Sequence, residues 1–248
     1  MPYLRLVFEG LGETVLYLKK NKVTDALLRN VPFSSKVIRW KEEVYFATPV
    51  NLEKVDGGTA LVKPGTVGFW TPENSLALFY GNNQPYGEVL DIGYILGPLH
   101  YLRWIEDGSE VRVEEYKDYG KEAEVAAFLR NQGIPAATRV WEEYPSVVVT
   151  IVNNHFVGAE IFVEDYGFIL ESTPLFFYDQ CIIGNALFES MKRLVKEPLR
   201  LDLNEEGYVI LSAYLREKDK IPITLISISA SYNYIMRSMA SKYALLPL

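Results

Sequence analysis

The sequence predicts two domains: an N-terminal all-β closed barrel with two short helices over residues 1–117, and a C-terminal α+β sandwich over residues 118–248. Three observations predict this. Residues 1–117 hold many short alternating runs and only two short helical patterns, and closure is a direct way for so many short strands to lose their open edges. The polar stretch KDYGKEAE, residues 117–124, contains a glycine and marks a change in the character of the chain. Beyond it, helical and strand patterns alternate.

In order, Leu4, Leu6 and Phe8 alternate with Arg5, Val7 and Glu9, and Gly10-Leu11-Gly12 turns the chain into a second strand over 14–18, a β-hairpin. Thr24 is placed to cap a short helix carrying Ala26, Leu27 and Leu28, which ends before Pro32. Strand patterns follow over 36–40, 43–48, 51–55, 60–62, 66–70, 76–80, 89–93 and 111–116, with a second short helix over 99–105 stopped by Asp107-Gly108. In the second half a helix over 122–132 puts Val125, Phe128 and Leu129 on one face, with Gly133 as its C-cap. Strands are expected over 138–142, 146–153, 157–164 and 167–172, with His155 in the loop of a hairpin. Thr173-Pro174 reads as a helix start. It leads to a long helix over 178–196 with Ile183, Leu187, Met191 and Leu194 inward, ended by Pro198. A hairpin joins 199–203 to 208–215. The last helix carries Leu225, Ile228, Tyr232, Ile235 and Met239 at three-four spacing, with Ser227, Ser231, Ser238 and Ser241 on its other side.

Composition narrows the function classes. The chain is 49% hydrophobic, 23% charged and 13% aromatic, a globular profile with ample core. Its formal charge is −7, and neither half is basic: 13 basic residues face 15 acidic ones over 1–117, and 12 face 17 beyond. A nucleic-acid footprint is therefore not expected. Lys192, Arg193, Lys196 and Arg200 are interrupted by Glu189 and Glu197 and read as a solvated helix face. The single cysteine, Cys181, permits no intramolecular disulfide. No stretch is apolar and long enough for a bilayer span, and the expectation is a soluble, cytoplasmic protein without membrane contact.

Two segments, VPFSSKVIRWKEEVYFATPV and GTVGFWTPENSLALFYG, resemble the small prokaryotic cyclophilin-like family of unknown function. The resemblance is carried by Val31-Pro32-Phe33, Trp40, Glu42, Glu43, Tyr45, Phe46, Thr48-Pro49, the run Gly65 through Pro72 and the apolar run from Leu76 to Gly81. It implies an eight-stranded barrel closed by two helices. The second segment then reads as two adjacent strands joined by a turn at Thr71-Pro72-Glu73-Asn74. Its aromatics either line a groove on the barrel face or only fill and cover the barrel. The part from Asn185 through Lys242 is similar to the YbjN-type, type III secretion chaperone-like α/β sandwich, which implies an interaction module, often dimeric, and no reaction.

Chemistry is sparse. True cyclophilins carry a Phe-His-Arg strand and a Gln-Gly-Gly-Asp segment, and this chain has neither. Arg39, beside Trp40, is the one arginine placed to assist a prolyl nitrogen. The two histidines, His100 and His155, lie in different halves and read as structural or solvated, so neither a metal site nor a cofactor is expected. Cys181 reads as buried helix packing. Glu42-Glu43 and Glu114-Glu115 are strand neighbours pointing to opposite faces, which gives a carboxylate dyad no support. The leading expectation is a non-enzymatic protein that binds a peptide or small molecule in an aromatic groove formed by Arg39, Trp40, Tyr45, Trp70, Phe79 and Tyr80. The alternatives are a divergent peptidyl-prolyl isomerase using Arg39 and a structural protein that forms a homodimer through its C-terminal domain.

Overall fold

The computed structural model describes residues 2–52, 57–152 and 156–244. The first half runs β1 (Tyr3–Phe8), β2 (Gly12–Leu18), α1 (Lys22–Asn30), β3 (Phe33–Lys36), β4 (Ile38–Trp40), β5 (Glu43–Ala47), β6 (Thr66–Trp70), β7 (Ser75–Phe79), β8 (Leu90–Leu96) and β9 (Glu110–Glu115). The second half adds α2 (Glu122–Asn131), β10 (Ala136–Trp141), β11 (Tyr144–Val152), β12 (Phe156–Glu164), β13 (Gly167–Ser172), β14 (Phe176–Phe177), α3 (Ile182–Lys192), β15 (Arg200–Leu203), β16 (Tyr208–Leu215) and α4 (Ile221–Ala244). Among the described residues no helix is long and apolar enough to cross a membrane.

The strands of the first half form a strongly curled antiparallel sheet in the order β3-β9-β1-β2-β8-β6-β7-β5-β4. Its two ends, β3 and β4, are consecutive in the chain and separated by Val37, whose N–H donates to the Ser109 carbonyl at 2.9 Å. Alternation decides which side chains enter the curl, because successive residues of a strand face opposite ways. Leu4, Leu6 and Phe8 of β1, Val44 and Phe46 of β5, Val67 and Phe69 of β6, and Leu76 and Leu78 of β7 all join one buried interior. Helix α1 caps it with Val23, Ala26 and Leu27, and the 3-10 turn His100–Trp104 adds Tyr101 and Leu102.

The strands of the second half run β10-β11-β12-β13-β16, with β14 and β15 both paired to β16. One face is covered by α2 and α4, which bury Val125, Ala126 and Leu129 and Ile221, Leu225 and Ile228 against Val147, Val149, Ala159, Ile161 and Leu170. The opposite face packs on the first half. Ala137 and Val148 meet Val15 and Leu96 there, with Tyr3, Tyr17, Tyr94 and Tyr116 around them. Trp141 at the end of β10 reaches the interior of the curled sheet and pairs with Gly12 of β2, so all the strands described belong to one hydrogen-bonded network.

Polar groups fix this seam. Thr150 donates to the Ile95 carbonyl and accepts from the Gly97 N–H, both at 3.0 Å. A Cβ on Gly158 would lie 2.2 Å from the Gly97 carbonyl oxygen, so only glycine lets the two backbones approach this closely. At the centre, Arg139 and Glu160 are buried and paired at 2.5 Å. Tyr101 from the first half donates to the same carboxylate at 2.7 Å, and Ser146 donates at 2.9 Å. Burial alone would push Glu160 up; the adjacent guanidinium and the donated hydrogen bonds outweigh it and hold the carboxyl below its usual range.

Several sequence expectations are corrected. Asn21, not Thr24, caps α1: its side chain accepts the Thr24 N–H at 2.9 Å, while Thr24 itself is buried. The run over 36–40 is broken at Val37 into β3 and β4, and residues 60–62 form no strand, the local pairing being a single bridge from Thr59 to Val89. The strand expected over 51–55 falls partly outside the described residues, as does His155. The second short helix is a 3-10 turn. Thr173-Pro174 does not open a helix. Leu175 N–H donates to the Val209 carbonyl, and the chain continues as β14, so the tertiary edge of β16 wins over the local helix signal. Helix α3 begins only at Ile182, and Ile183 on it is exposed rather than inward.

Replacing Arg139 with methionine strands the Glu160 charge in the seam. A loss of roughly 3–5 kcal/mol in unfolding free energy is expected for R139M, and the double variant R139M/E160Q recovers part of it. Urea denaturation checks this, and equal losses in the single and double variants count against a coupled pair.

Candidate functional site

The same alternation that fills the interior places another set of side chains on the outside of β4, β5, β6 and β7. Trp40 is opposite Glu43, Glu43 is opposite Phe79, Tyr45 is opposite Ala77, and Trp70 is opposite Ser75. These rows form an outer cleft of about 210 Å³. Its walls are Trp40, Tyr45 and Trp70, its floor is Ser75, Ala77 and Val89, and Pro85, Tyr86 and Gly87 form one rim. Tyr86 is 92% exposed and meets Trp40 edge-on, with ring centroids 6.4 Å apart. Under the floor, Phe79 packs with Val62, Ala77 and Val89. Gly68 makes that packing fit, since a Cβ there would lie 3.0 Å from Phe79 and 3.2 Å from Val89.

Among the described residues Glu43 is the one charged side chain lining this cleft. It is 7% exposed, and the Asn83 amide donates to its Oε2 at 3.3 Å. Among the described residues it forms no ion pair. Burial pushes its carboxyl up to about 7, against a smaller downward pull from Asn83. Burial also raises the Tyr45 phenol, with Glu73, Glu43 and Asp107 adding to the effect. Glu42 points elsewhere: its carboxylate accepts the Asn82 N–H at 2.8 Å.

Of the six residues expected to form an aromatic groove, the structure brings Trp40, Tyr45 and Trp70 to one cleft. Phe79 lies on the same face but is fully buried beneath it. Tyr80 follows Phe79 by one residue and therefore turns inward, joining the interior, where its hydroxyl donates to the Lys41 carbonyl at 3.0 Å. Arg39 is exposed outside the lining, and its N–H donates to Asp107 at 2.8 Å. Sequence reasoning missed Glu43 as a site residue, together with the rim Pro85-Tyr86-Gly87. The signal was present in part: Glu43 and Tyr45 are two apart on one strand, so one face carries both.

The remaining candidates lie away from the cleft. His100 is in the seam, its Nε2 3.2 Å from Glu206 and its ring 4.0 Å from Tyr101. Cys181 is exposed, not buried, and caps α3, its sulfur accepting the Gly184 N–H. Among the described residues no group of three or more His, Cys, Asp or Glu is placed to hold a metal.

Residues 2–114 match the family model described as cyclophilin-like. The solution structure of a hypothetical protein from Archaeoglobus fulgidus is similar: 30% identical, covering 46% of this chain and 94% of that one, with a TM-score of 0.42. No curated protein matches. The chain belongs to the cyclophilin-like family through its N-terminal part, a family of uncharacterised function. The match ends at Glu114 and lends nothing to the secretion chaperone-like resemblance of residues 120–248.

Glu43 should titrate with a midpoint near 7 in carboxyl-selective NMR of the folded protein, and the signal should vanish in E43Q. The raised value means the folded state holds this proton more tightly than the unfolded chain. Stability from that source is full below the ordinary carboxyl value of 4.5 and is lost as pH rises through about 7. E43Q is therefore expected to gain on the order of 2–3 kcal/mol over the native chain above neutral pH, with the difference fading towards pH 4.5 in parallel denaturation series.

Proposed function

We propose that this cyclophilin-like chain is a non-enzymatic binding protein whose outer cleft takes a small molecule or the side chain of a peptide. The observation that carries the reading is the cleft itself: three aromatic walls, a floor of small and apolar side chains and, among the described residues, a single carboxylate. Recognition sites combine these features, an apolar concavity supplying affinity and few polar groups fixing orientation. In this reading β3 and β4 act as one strand interrupted at Val37, which closes an eight-stranded barrel and stiffens the wall bearing Trp40. The two interiors, joined through Trp141, fit a domain division near residue 117. The single cysteine fits a reducing cytoplasmic setting.

The isomerase alternative draws nothing from the geometry, because Arg39 stands outside the cleft and, among the described residues, the lining holds no cationic donor. The homodimer alternative has one observation in its favour: α4 exposes Ile223, Ile226, Tyr234 and Met236. Sedimentation velocity at micromolar concentration tests it, and a monomer there sinks it.

The four tryptophans give the binding reading an internal control. In amide-correlated NMR of the full chain with a fragment library, the indole signals of Trp40 and Trp70 should move while those of Trp104 and Trp141 stay in place. A library that moves neither cleft indole removes the reading.

A further inference from the structure

We propose that the ligand of this cleft is a substituted ammonium ion, its alkylated head seated among Trp40, Tyr45, Trp70 and Tyr86 with Glu43 as its counter-ion. The proposal rests on the binding reading above and adds the chemical class. The rings present electron-rich faces, and such faces attract cations whose charge is spread over methyl or methylene groups. Trp40 already serves a cation in this way, since the Lys41 ammonium lies 4.2 Å from its ring centroid. The carboxylate supplies the complementary charge at short range. An overall charge of −7 favours the approach of cations from solution.

Other ligand classes fit less well. An anion would meet a carboxylate and, among the described residues, no lining cation. A neutral apolar ligand would cover Glu43 and leave it without a counter-charge, at a desolvation cost. A bare metal ion needs several oxygen ligands, and the walls are rings. An unsubstituted ammonium keeps three strong donors that one carboxylate does not satisfy. The volume of about 210 Å³ is below that of usual drug-sized pockets and suits a head group rather than a large molecule.

The surroundings of Glu43 make its charge depend on the occupant. On its own strand the neighbours are Tyr45 and, just before it, Glu42, which is held by Asn82. From β4, Arg39 is tied through its backbone to Asp107, and Lys41 sits on Trp40. Strand β7 brings Ser75, Ala77 and Phe79, none of them charged, and Glu73 and Asp107 act on the Tyr45 phenol. A bound cation would supply the missing counter-charge and favour ionised Glu43.

The test is a titration of the full chain with choline, followed at the Trp40 and Trp70 indoles, beside its neutral carbon isostere 3,3-dimethyl-1-butanol. Choline is expected to shift both indoles and to bind roughly tenfold more tightly than the isostere. Its affinity should fall several-fold between about pH 8 and about pH 5.5, where Glu43 is protonated and choline keeps its charge. In E43Q the affinity should be weak and flat with pH, the unchanged amide spectrum showing that the variant folds. Because the pH series on the native chain asks the same question, a variant that fails to fold does not leave the answer open. A trimethyl-lysine peptide separates the sources: tighter binding than choline points to a modified side chain, and equal or weaker binding points to a free amine. Equal binding of choline and its isostere overturns the cation while leaving a ligand cleft in place. Absence of any shift with choline also overturns it, and the fragment library then decides whether the cleft binds anything.

Discussion

The burial of one carboxylate, Glu160, governs how the molecule is put together. A lone ionised carboxyl in that position would be prohibitively costly. Its compensation comes from both halves: Arg139 and Ser146 from the second sheet, Tyr101 from the turn that closes the first. The ion pair lies within the second half, and the Tyr101 hydroxyl reaches it only with the two halves seated on each other. Backbone contacts at Gly97 and Gly158 and the hydroxyl of Thr150 then set the distance between the sheets. Such a pair is weak evidence of added stability compared with an apolar core, but it penalises any misplaced arrangement heavily. The residues lining the cleft on the outer wall of the curled sheet are distinct from these seam contacts.

Most strands were legible because a period of two survives any tertiary context: β1, β5, β6, β7 and β9 fall within a residue or two of the runs that predicted them. The cleft was legible by the same logic only where the residue count was kept. Tyr45 and Trp70 belong outside because Phe46 and Phe69 belong inside. Tyr80 was assigned to the groove for being aromatic and adjacent to Phe79, yet adjacency on a strand means opposite faces.

What was not legible depended on partners distant in sequence. Thr173-Pro174 carries a sound helix-start signal, but the free edge of β16 was unknown and captured the chain as β14. Arg39 sits on the right strand, and only the tie to Asp107 shows which way the backbone is held. Cys181 looked like packing beside Ile182, and both turn out to be exposed at the start of α3. Parity puts Glu43 rather than Glu42 on the face of Tyr45, but nothing local gave the two carboxylates different partners. Their separation comes from the loop after β7, which offers Asn83 to one and the Asn82 backbone to the other.

Glu43 and Glu160 together show how a structural carboxylate differs from one that awaits a partner. Both are buried by protein. One is held below its usual range by an arginine and donated hydrogen bonds, and the other is pushed up to about 7 with a single amide contact. If Glu43 had only to fill space, glutamine or leucine would do so without the desolvation cost. Among the described residues the chain supplies Glu43 no cation, although it supplies one readily at Glu160. A buried carboxyl left in this state costs folding energy at neutral pH, and such a cost is most often kept where a ligand relieves it. The missing counter-charge, more than the size of the cleft, is the reason a cation is proposed as its occupant.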